Sequence, residues 1–190
     1  MKTQIRIVAG NLRGRRVTCD VHPNMRPTPQ MVREALFSIL GDAVPGRPFF
    51  DVFAGTGVIG LEALSRGASS VTFVERDFRL TDAIDKNLRE FGVSESGRVA
   101  RSDVYRWIER WQPPTEPVTV FVSPPFGDFE RRPVELHAVI TELRQRVAPS
   151  SVVVLQAEES EFLDTLPGRN EADERKYGRN RLLFWVKATE

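Results

Sequence analysis

The stretch Phe49-Phe50-Asp51-Val52-Phe53-Ala54-Gly55-Thr56-Gly57-Val58-Ile59-Gly60 decides the fold. A run of strand-forming residues enters a glycine-rich turn, and the apolar residues after it open a helix. This is how an open α/β sheet holds a nucleotide-like ligand at the carboxyl ends of its strands. Gly55 and Gly57 admit backbone angles closed to other residues and let a ligand lie against the main chain, while Gly60 lets the helix pack tightly on the strand. By spacing alone the run also satisfies the G-x-G-x-x-G of dinucleotide enzymes, so a nicotinamide-dependent oxidoreductase is one reading.

Outwards from residue 49, strands at 49–54, 70–75, 98–101, 118–122 and 151–156 alternate with helices at 57–66, 78–91, 104–110 and about 133–147. Near-continuous apolar strands in this alternation predict an α/β fold of the Rossmann-like class, a mostly parallel sheet with helices on both faces. Glu171 to Lys176 and Arg181 to Lys187, joined by Tyr177-Gly178-Arg179-Asn180, read as a closing antiparallel hairpin. Ahead of the sheet, Ile5, Val8 and Val17 surround Gly10-Asn11 and Gly14, the pattern of a short hairpin. Thr28 is placed to cap a helix with Pro29 at its first position, Val32, Leu36, Ile39 and Leu40 on one face, and an end near Gly41. The expected organisation is one domain over 1–190, with a basic hairpin-and-helix extension at 1–45 and a catalytic core at 46–190.

With 190 residues, 41% hydrophobic and 28% charged, the chain can bury one sizeable core. Its longest apolar runs, such as Val118 to Val122, fall far short of the ~20 residues of a membrane span, and its start lacks the apolar stretch of a secretory signal. Cys19 is the only cysteine and no histidine pair stands out, so neither a disulfide nor a metal site is expected. Together these features predict a cytoplasmic protein without membrane or metal partners; a monomer is the expected state, though none of these features gives it. The net charge of +1 hides an asymmetry: residues 1–33 carry seven basic side chains against one acidic, the remainder 20 against 25. A basic segment on a mildly acidic body fits a polyanion partner, and a solvated basic face is the alternative. Arg6, Arg13, Arg15, Arg16, Arg26 and Arg33, with Thr28, are the candidate contacts to such a partner.

Two acids narrow the choice of cofactor. Asp51 sits four residues before Gly55, where its carboxylate would welcome an α-ammonium group and repel a pyrophosphate, which favours S-adenosylmethionine. Glu75 ends the second strand, 20 residues after Gly55, and is placed to accept hydrogen bonds from ribose hydroxyls. Asp103, after the third strand, either accepts from an adenine amino group or caps the helix at 104–110. The candidate cofactor set is Asp51, Phe53, Gly55, Thr56, Gly57, Glu75, Arg76, Asp103 and Val104.

The fourth strand delivers Ser123-Pro124-Pro125-Phe126 to the same sheet edge. Consecutive prolines cannot continue a ladder and fix the carbonyls around them. A nucleobase amino group is a poor nucleophile because its lone pair is delocalised into the ring. If Ser123 Oγ and the Pro124 carbonyl each accept one amino hydrogen, the nitrogen is drawn towards a tetrahedral shape with its lone pair aimed at a sulfonium methyl. Phe126 stacks on the base, a contact worth ~1–3 kcal/mol. Ser123, Pro124, Pro125 and Phe126 are the candidate catalytic residues of a base amino-methyltransferase.

Beyond these motifs, the chain resembles the RsmD-type methyltransferases over nearly its whole length. The resemblance is carried by Arg6-Ile7-Val8-Ala9-Gly10-Asn11-Leu12-Arg13-Gly14-Arg15-Arg16, by Arg26-Pro27-Thr28, by Val32-Arg33-Glu34-Ala35-Leu36-Phe37 and by Leu61-Glu62-Ala63-Leu64-Ser65-Arg66-Gly67-Ala68, along with the glycine loop and the Pro-Pro-Phe corner. It implies a seven-stranded class I methyltransferase sheet with an antiparallel last strand. It also implies S-adenosylmethionine as cofactor, the N2 amino group of a guanine in 16S ribosomal RNA as methyl acceptor, and an N-terminal extension that grips RNA in an assembling small subunit. One departure is visible: the family usually has an acidic residue where this chain has Ser123, and serine polarises an amino group less. Two alternatives to this function are a DNA adenine-N6 or cytosine-N4 methyltransferase and a non-catalytic RNA-binding assembly factor that keeps the fold.

Other residues read as structural. Trp107 and Trp111, four apart on a helix, suit packing. His22, in a proline-flanked loop, and His137, on a helix, read as surface residues. Tyr177 and Arg179 fall in a turn near the cofactor edge, and helix 78–91 presents a solvated charged face.

Overall fold

The computed structural model describes residues 2–20 and 25–189; His22 and Pro23 lie outside them. In chain order the elements are strands β1 (Lys2–Arg6) and β2 (Arg16–Asp20), helix α1 (Gln30–Leu40), β3 (Pro48–Val52), α2 (Val58–Ser65), β4 (Ser70–Glu75), α3 (Phe78–Phe91), β5 (Gly97–Arg101) and α4 (Val104–Arg110). They continue with β6 (Thr119–Val122), α5 (Phe126–Arg131), α6 (Pro133–Arg146), β7 (Val152–Glu158), α7 (Glu161–Asp164), β8 (Asp173–Tyr177) and β9 (Asn180–Val186). The main sheet has seven strands in the order β5-β4-β3-β6-β7-β9-β8. It is parallel from β5 to β7, and β9 runs antiparallel to both β7 and β8.

The apolar strands divide their side chains between two cores. Phe49, Phe73 and Phe121 face one side, where Leu36, Leu61, Ile84 and Leu88 of the first three helices cover them. Phe50, Val52, Val74 and Val120 face the other, under Val104, Ile108, Leu136 and Leu143. Burial on both faces is why these strands read as continuous apolar runs. Helix α3 matches its expected bounds because both ends are written locally: Asp77 accepts from the backbone N–H groups of Arg79 and Leu80, and Gly92 closes the last turn at φ 72. Trp107 and Trp111 pack with Phe50, as their spacing suggested. Gly60 packs its bare backbone on the sheet, since an added Cβ would lie 2.2 Å from the Phe73 ring.

The residues of the N-terminal extension do not form a separate layer. Ile7, Leu12 and Val17 belong to the same core as the sheet. Buried Glu62 of α2 accepts from the N–H groups of Val8 (3.0 Å) and Ala9 (3.1 Å). Ser65 accepts from the Leu12 N–H at 2.9 Å, and its carbonyl accepts from Asn11. Gly10 lies so close that an added Cβ would stand 1.8 Å from the Ser65 carbonyl oxygen. The two sequence strings Arg6 to Arg16 and Leu61 to Ala68 are thus the two halves of one contact. Farther along, Thr18 exchanges hydrogen bonds with Asn87 of α3, at 3.1 and 3.0 Å.

Four expectations need correction. Thr28 does not cap α1: the helix begins at Gln30 after Pro29, without a side-chain cap, and the Thr28 hydroxyl donates to Gln156 instead. A distant partner outcompeted the local one. On α1 the buried face is Val32, Arg33, Leu36, Phe37 and Leu40, whereas Ile39 is exposed. The last hairpin turns through Gly178 and Arg179 alone, because Tyr177 and Asn180 are paired, and residues 169–171 form a short 3-10 helix. Helices α5 and α7 were not foreseen, being too short to show a period.

Candidate active site

A cleft of ≈ 430 Å³ opens at the carboxyl ends of β3, β4, β6 and β7, lined by residues from the glycine loop, the Ser-Pro-Pro-Phe corner and the segment before α1. The loop after β3 takes three left-handed residues in five positions: Phe53 (φ 62), Gly55 (φ 54) and Gly57 (φ 73). For phenylalanine this region is uncommon and costs on the order of 1 kcal/mol or more, a strain typical of ligand-binding turns. Glu75 braces the loop. Its Oε2 accepts from the Gly55 N–H at 2.9 Å, and its Oε1 accepts from Arg76 (2.8 Å) and Asp77 (2.9 Å). Oε2, with one bond made, keeps lone-pair capacity for a ribose hydroxyl.

Asp51 lies beneath the loop, only 1% exposed, and its Oδ2 accepts from the Gly60 N–H at 2.9 Å. Burial pushes its carboxyl up to about 8; the Gly60 bond opposes the shift and the charge of Glu75 adds to it. At neutral pH this group therefore keeps a proton until a cation arrives to replace it.

Beside the loop a smaller hollow is lined by Phe53, Arg76, Asp103, Val104 and Tyr105, among others. Asp103 takes the capping role: its Oδ1 accepts from the Tyr105 N–H at 2.9 Å, while Oδ2 pairs with Arg76 at 3.4 Å. The Tyr105 hydroxyl donates to Asp128 Oδ2 at 2.7 Å, and Arg132 lies over the Tyr105 ring. Burial, with the Asp128 bond and charge, pushes the phenol above its ordinary value, so it stays a donor. This link ties α4 at the cofactor side to α5 behind the corner. Sequence reasoning missed both Tyr105 and Asp128, whose pairing spans 23 residues and leaves no local signal.

At the corner, the Ser123 N–H donates to the Val52 carbonyl at 3.1 Å, which fastens the turn to β3. Ser123 Oγ has no protein partner among the described residues and lines the cleft. Phe126, 42% exposed, opens α5 with its ring available to a flat ligand. The wall beyond the corner is polar. Thr28 Oγ1 donates to Gln156 Oε1 at 2.8 Å, and Gln156 Nε2 donates to Asn180 Oδ1 at 3.1 Å. Arg26 and Arg131 also line this side, and Arg131 Nε donates to the Gly127 carbonyl at 3.1 Å.

The candidate RNA contacts separate into three groups. Arg26 and Thr28 reach the cleft. Arg13 and Arg15 are exposed, but Arg15 stacks on Phe91 and donates to the Glu90 carbonyl at the far end of α3, roughly 20 Å along that helix from its start beside Glu75. Arg6 and Arg16 are register partners across the hairpin, where Arg16 donates to Gln4 Oε1 at 3.1 Å. Arg33 is no surface contact at all. It is 3% exposed, and its guanidinium donates to the Thr28 and Arg6 carbonyls at 2.9 and 3.0 Å, so burial lowers its pKa. Its work is to hold the chain on either side of β2. Two readings of lesser residues also change. His137 is half-buried and stacks on Phe162 at 4.3 Å, and the turn with Tyr177 and Arg179, which joins β8 to β9, has β6 and β7 between it and the strand that carries the glycine loop. Among the described residues no helix is long and apolar enough to cross a membrane.

Comparisons with known proteins show the family and the fold. The family described as Conserved hypothetical protein 95 matches residues 5–186. The chain is 34% identical over 164 residues to the Escherichia coli K12 protein named ribosomal RNA small subunit methyltransferase D, covering 86% of this chain and 80% of that one. With the Haemophilus influenzae protein of the same name it shares 37% identity over 128 residues, 66% of this chain and 65% of the other. A solved structure of a hypothetical protein from Thermus thermophilus superposes with a TM-score of 0.74 at 30% identity, covering 96% of this chain and 99% of that one.

Proposed function

The chain belongs to the family described as Conserved hypothetical protein 95, together with the ribosomal RNA small subunit methyltransferases D, and on that premise we propose that it methylates the N2 amino group of a guanine in small-subunit ribosomal RNA, with S-adenosylmethionine as donor. The single observation that carries this reading is that one ≈ 430 Å³ cleft is lined both by the glycine loop and by the Ser123–Phe126 corner. The donor fits the residues present. Asp51 is a buried carboxyl matched to an α-ammonium group, Glu75 offers its Oε2 as an acceptor to ribose, and Phe53, Val104 and Tyr105 give a flat ring an apolar bed. S-adenosylmethionine supplies an electrophilic methyl group on a sulfonium.

The protein's own part is to bind and orient. Ser123 Oγ and the Pro124 carbonyl hold the two amino hydrogens, and Phe126 holds the base in plane by stacking. No strong base is required, because the methylated nitrogen is acidic enough to lose its proton to water. Arg26 at the cleft takes the phosphate beside the target, while Arg15, held at the far end of α3, meets RNA only at a distance. That distance fits a large folded substrate, an assembling small subunit, acted on by one monomer in the cytoplasm. Labelled methyl transfer to deproteinised ribosomal RNA and to small subunits, followed by nucleoside analysis, tests the reading. N2-methylguanosine in either substrate is expected; methylated adenine or cytosine in DNA, or no transfer with cofactor bound, would overturn it.

A further inference from the structure

The polar wall beyond the corner has no part in the chemistry described so far. It is built from three places in the chain: Thr28 before α1, Gln156 near the end of β7, and Asn180 at the start of β9. Thr28 and Gln156 are each 8% exposed, yet both are polar and both line the cleft. Phe121 and Ala157 line the same cleft and are apolar, so this strand end could be apolar too, whereas a buried amide must find partners. Thr28 has given up the helix cap that its position offered in order to supply one.

The chain of bonds has a direction. The Thr28 hydroxyl donates to Gln156 Oε1, which turns Gln156 Nε2 towards Asn180 Oδ1. Asn180 then has its carbonyl occupied and its Nδ2 hydrogens unclaimed by any protein acceptor among the described residues, at the wall of the cleft. What reaches Asn180 meets an uncharged donor, while the guanidinium groups of Arg26 and Arg131 carry the charge on this side of the cleft.

Guanine has a carbonyl at its six position where adenine has an amino group, so a fixed donor accepts the first base and rejects the second. The N2 amino group and this carbonyl are the two ends of the same base edge, with N1–H between them. We propose that Thr28, Gln156 and Asn180 form a base reader, in which the first two hold Asn180 Nδ2 as the hydrogen-bond donor to the six-position carbonyl of the target guanine. This rests on the proposed function, since it takes the amino group at Ser123 as given. Asn180 is then a specificity residue that touches the base, and Thr28 and Gln156 are positioning residues behind it. A site built around a donor loses much of its rate with an analogue that offers no acceptor.

The test uses splint-ligated small-subunit ribosomal RNA, assembled into subunits, with guanine, 2-aminopurine or 2,6-diaminopurine at the methylated position. All three have the N2 amino group; the second lacks the six-position carbonyl and the third replaces it with an amino group. The native protein should favour guanine over both by about tenfold or more in kcat/KM. Asn180→Ala should bring the guanine to 2-aminopurine ratio towards one, and Asn180→Asp, an acceptor in place of the donor, should tip the ratio towards 2,6-diaminopurine. Thr28→Val, which frees the Gln156 amide to turn, should lower the guanine preference without lowering the thermal midpoint enough to unfold the protein at assay temperature. If Asn180→Ala and Thr28→Val slow all three substrates by the same factor, the wall is structural and the reader is overturned. If the native protein methylates none of the three while it binds S-adenosylmethionine, the proposed function itself fails, and that result is distinct from an unchanged ratio.

Discussion

Binding of a ligand with an α-ammonium group should release a proton, and Asp51 should be its source. The carboxyl is 1% exposed and pushed up to about 8, so at pH 7 roughly nine molecules in ten hold it protonated. An ammonium group brought against it reverses that balance. In a site shut off from water the attraction is worth several kcal/mol, enough to lower the carboxyl by about three units. Binding at pH 7 should therefore release about 0.9 proton, and between pH 6 and pH 7 the Kd for S-adenosylhomocysteine should fall about tenfold. Calorimetric titration at pH 7 in two buffers of different ionisation enthalpy counts the protons directly. Asp51→Asn keeps an oxygen for the Gly60 N–H but has no proton to lose, so release should vanish and the pH slope should flatten. No release from the native protein, or equal release from Asp51→Asn, would refute the pairing of Asp51 with the ammonium group.

The same carboxyl makes the unliganded fold prefer mild acid. Its native value lies above the 3.8 of an unperturbed group, so its contribution to stability is complete below about pH 4 and is lost as pH rises through about 8. Asp51→Asn should raise the urea midpoint at pH 8 and leave it nearly unchanged at pH 4; the reverse order would contradict this account. Glu62→Ala strands the N–H groups of Val8 and Ala9 and the guanidinium of Arg66, and should cost about 3–5 kcal/mol in urea unfolding, with hydrogen-exchange protection lost first at residues 8 and 9. A cost under about 1 kcal/mol would mean that the extension docks by apolar contact alone. Arg26→Ala should lower the salt dependence of RNA binding by about one counterion with little change in Tm, whereas Arg33→Ala should lower Tm and leave the salt slope as it was. Phe126→Ala should leave Tm within about 2 °C, because the ring is 42% exposed, and slow methyl transfer by about tenfold or more.

What the sequence determined by itself was whatever a short window contains. The strand, glycine turn and helix at residues 49–60 are contiguous, so their spacing announces both the fold and the edge of the sheet where a ligand binds. Helix α3 could be bounded to the residue because Asp77 and Gly92 act within one turn of its ends. The Ser-Pro-Pro-Phe corner was visible for the same reason, since prolines stop a strand wherever they occur. Tertiary structure alone decided the rest. Arg33 looks like its exposed neighbours in charge and spacing, and only the carbonyls of Thr28 and Arg6 converging on it make it a core residue. Thr28 carries a proper capping sequence, yet a partner 128 residues away takes its hydroxyl. The position of Arg15 far from the cleft follows from β2 running along α3, which no local pattern records. Local signals report backbone preference and periodicity; which polar group satisfies which buried donor is settled when distant segments are brought together, and the polar wall of this cleft is made entirely of such meetings.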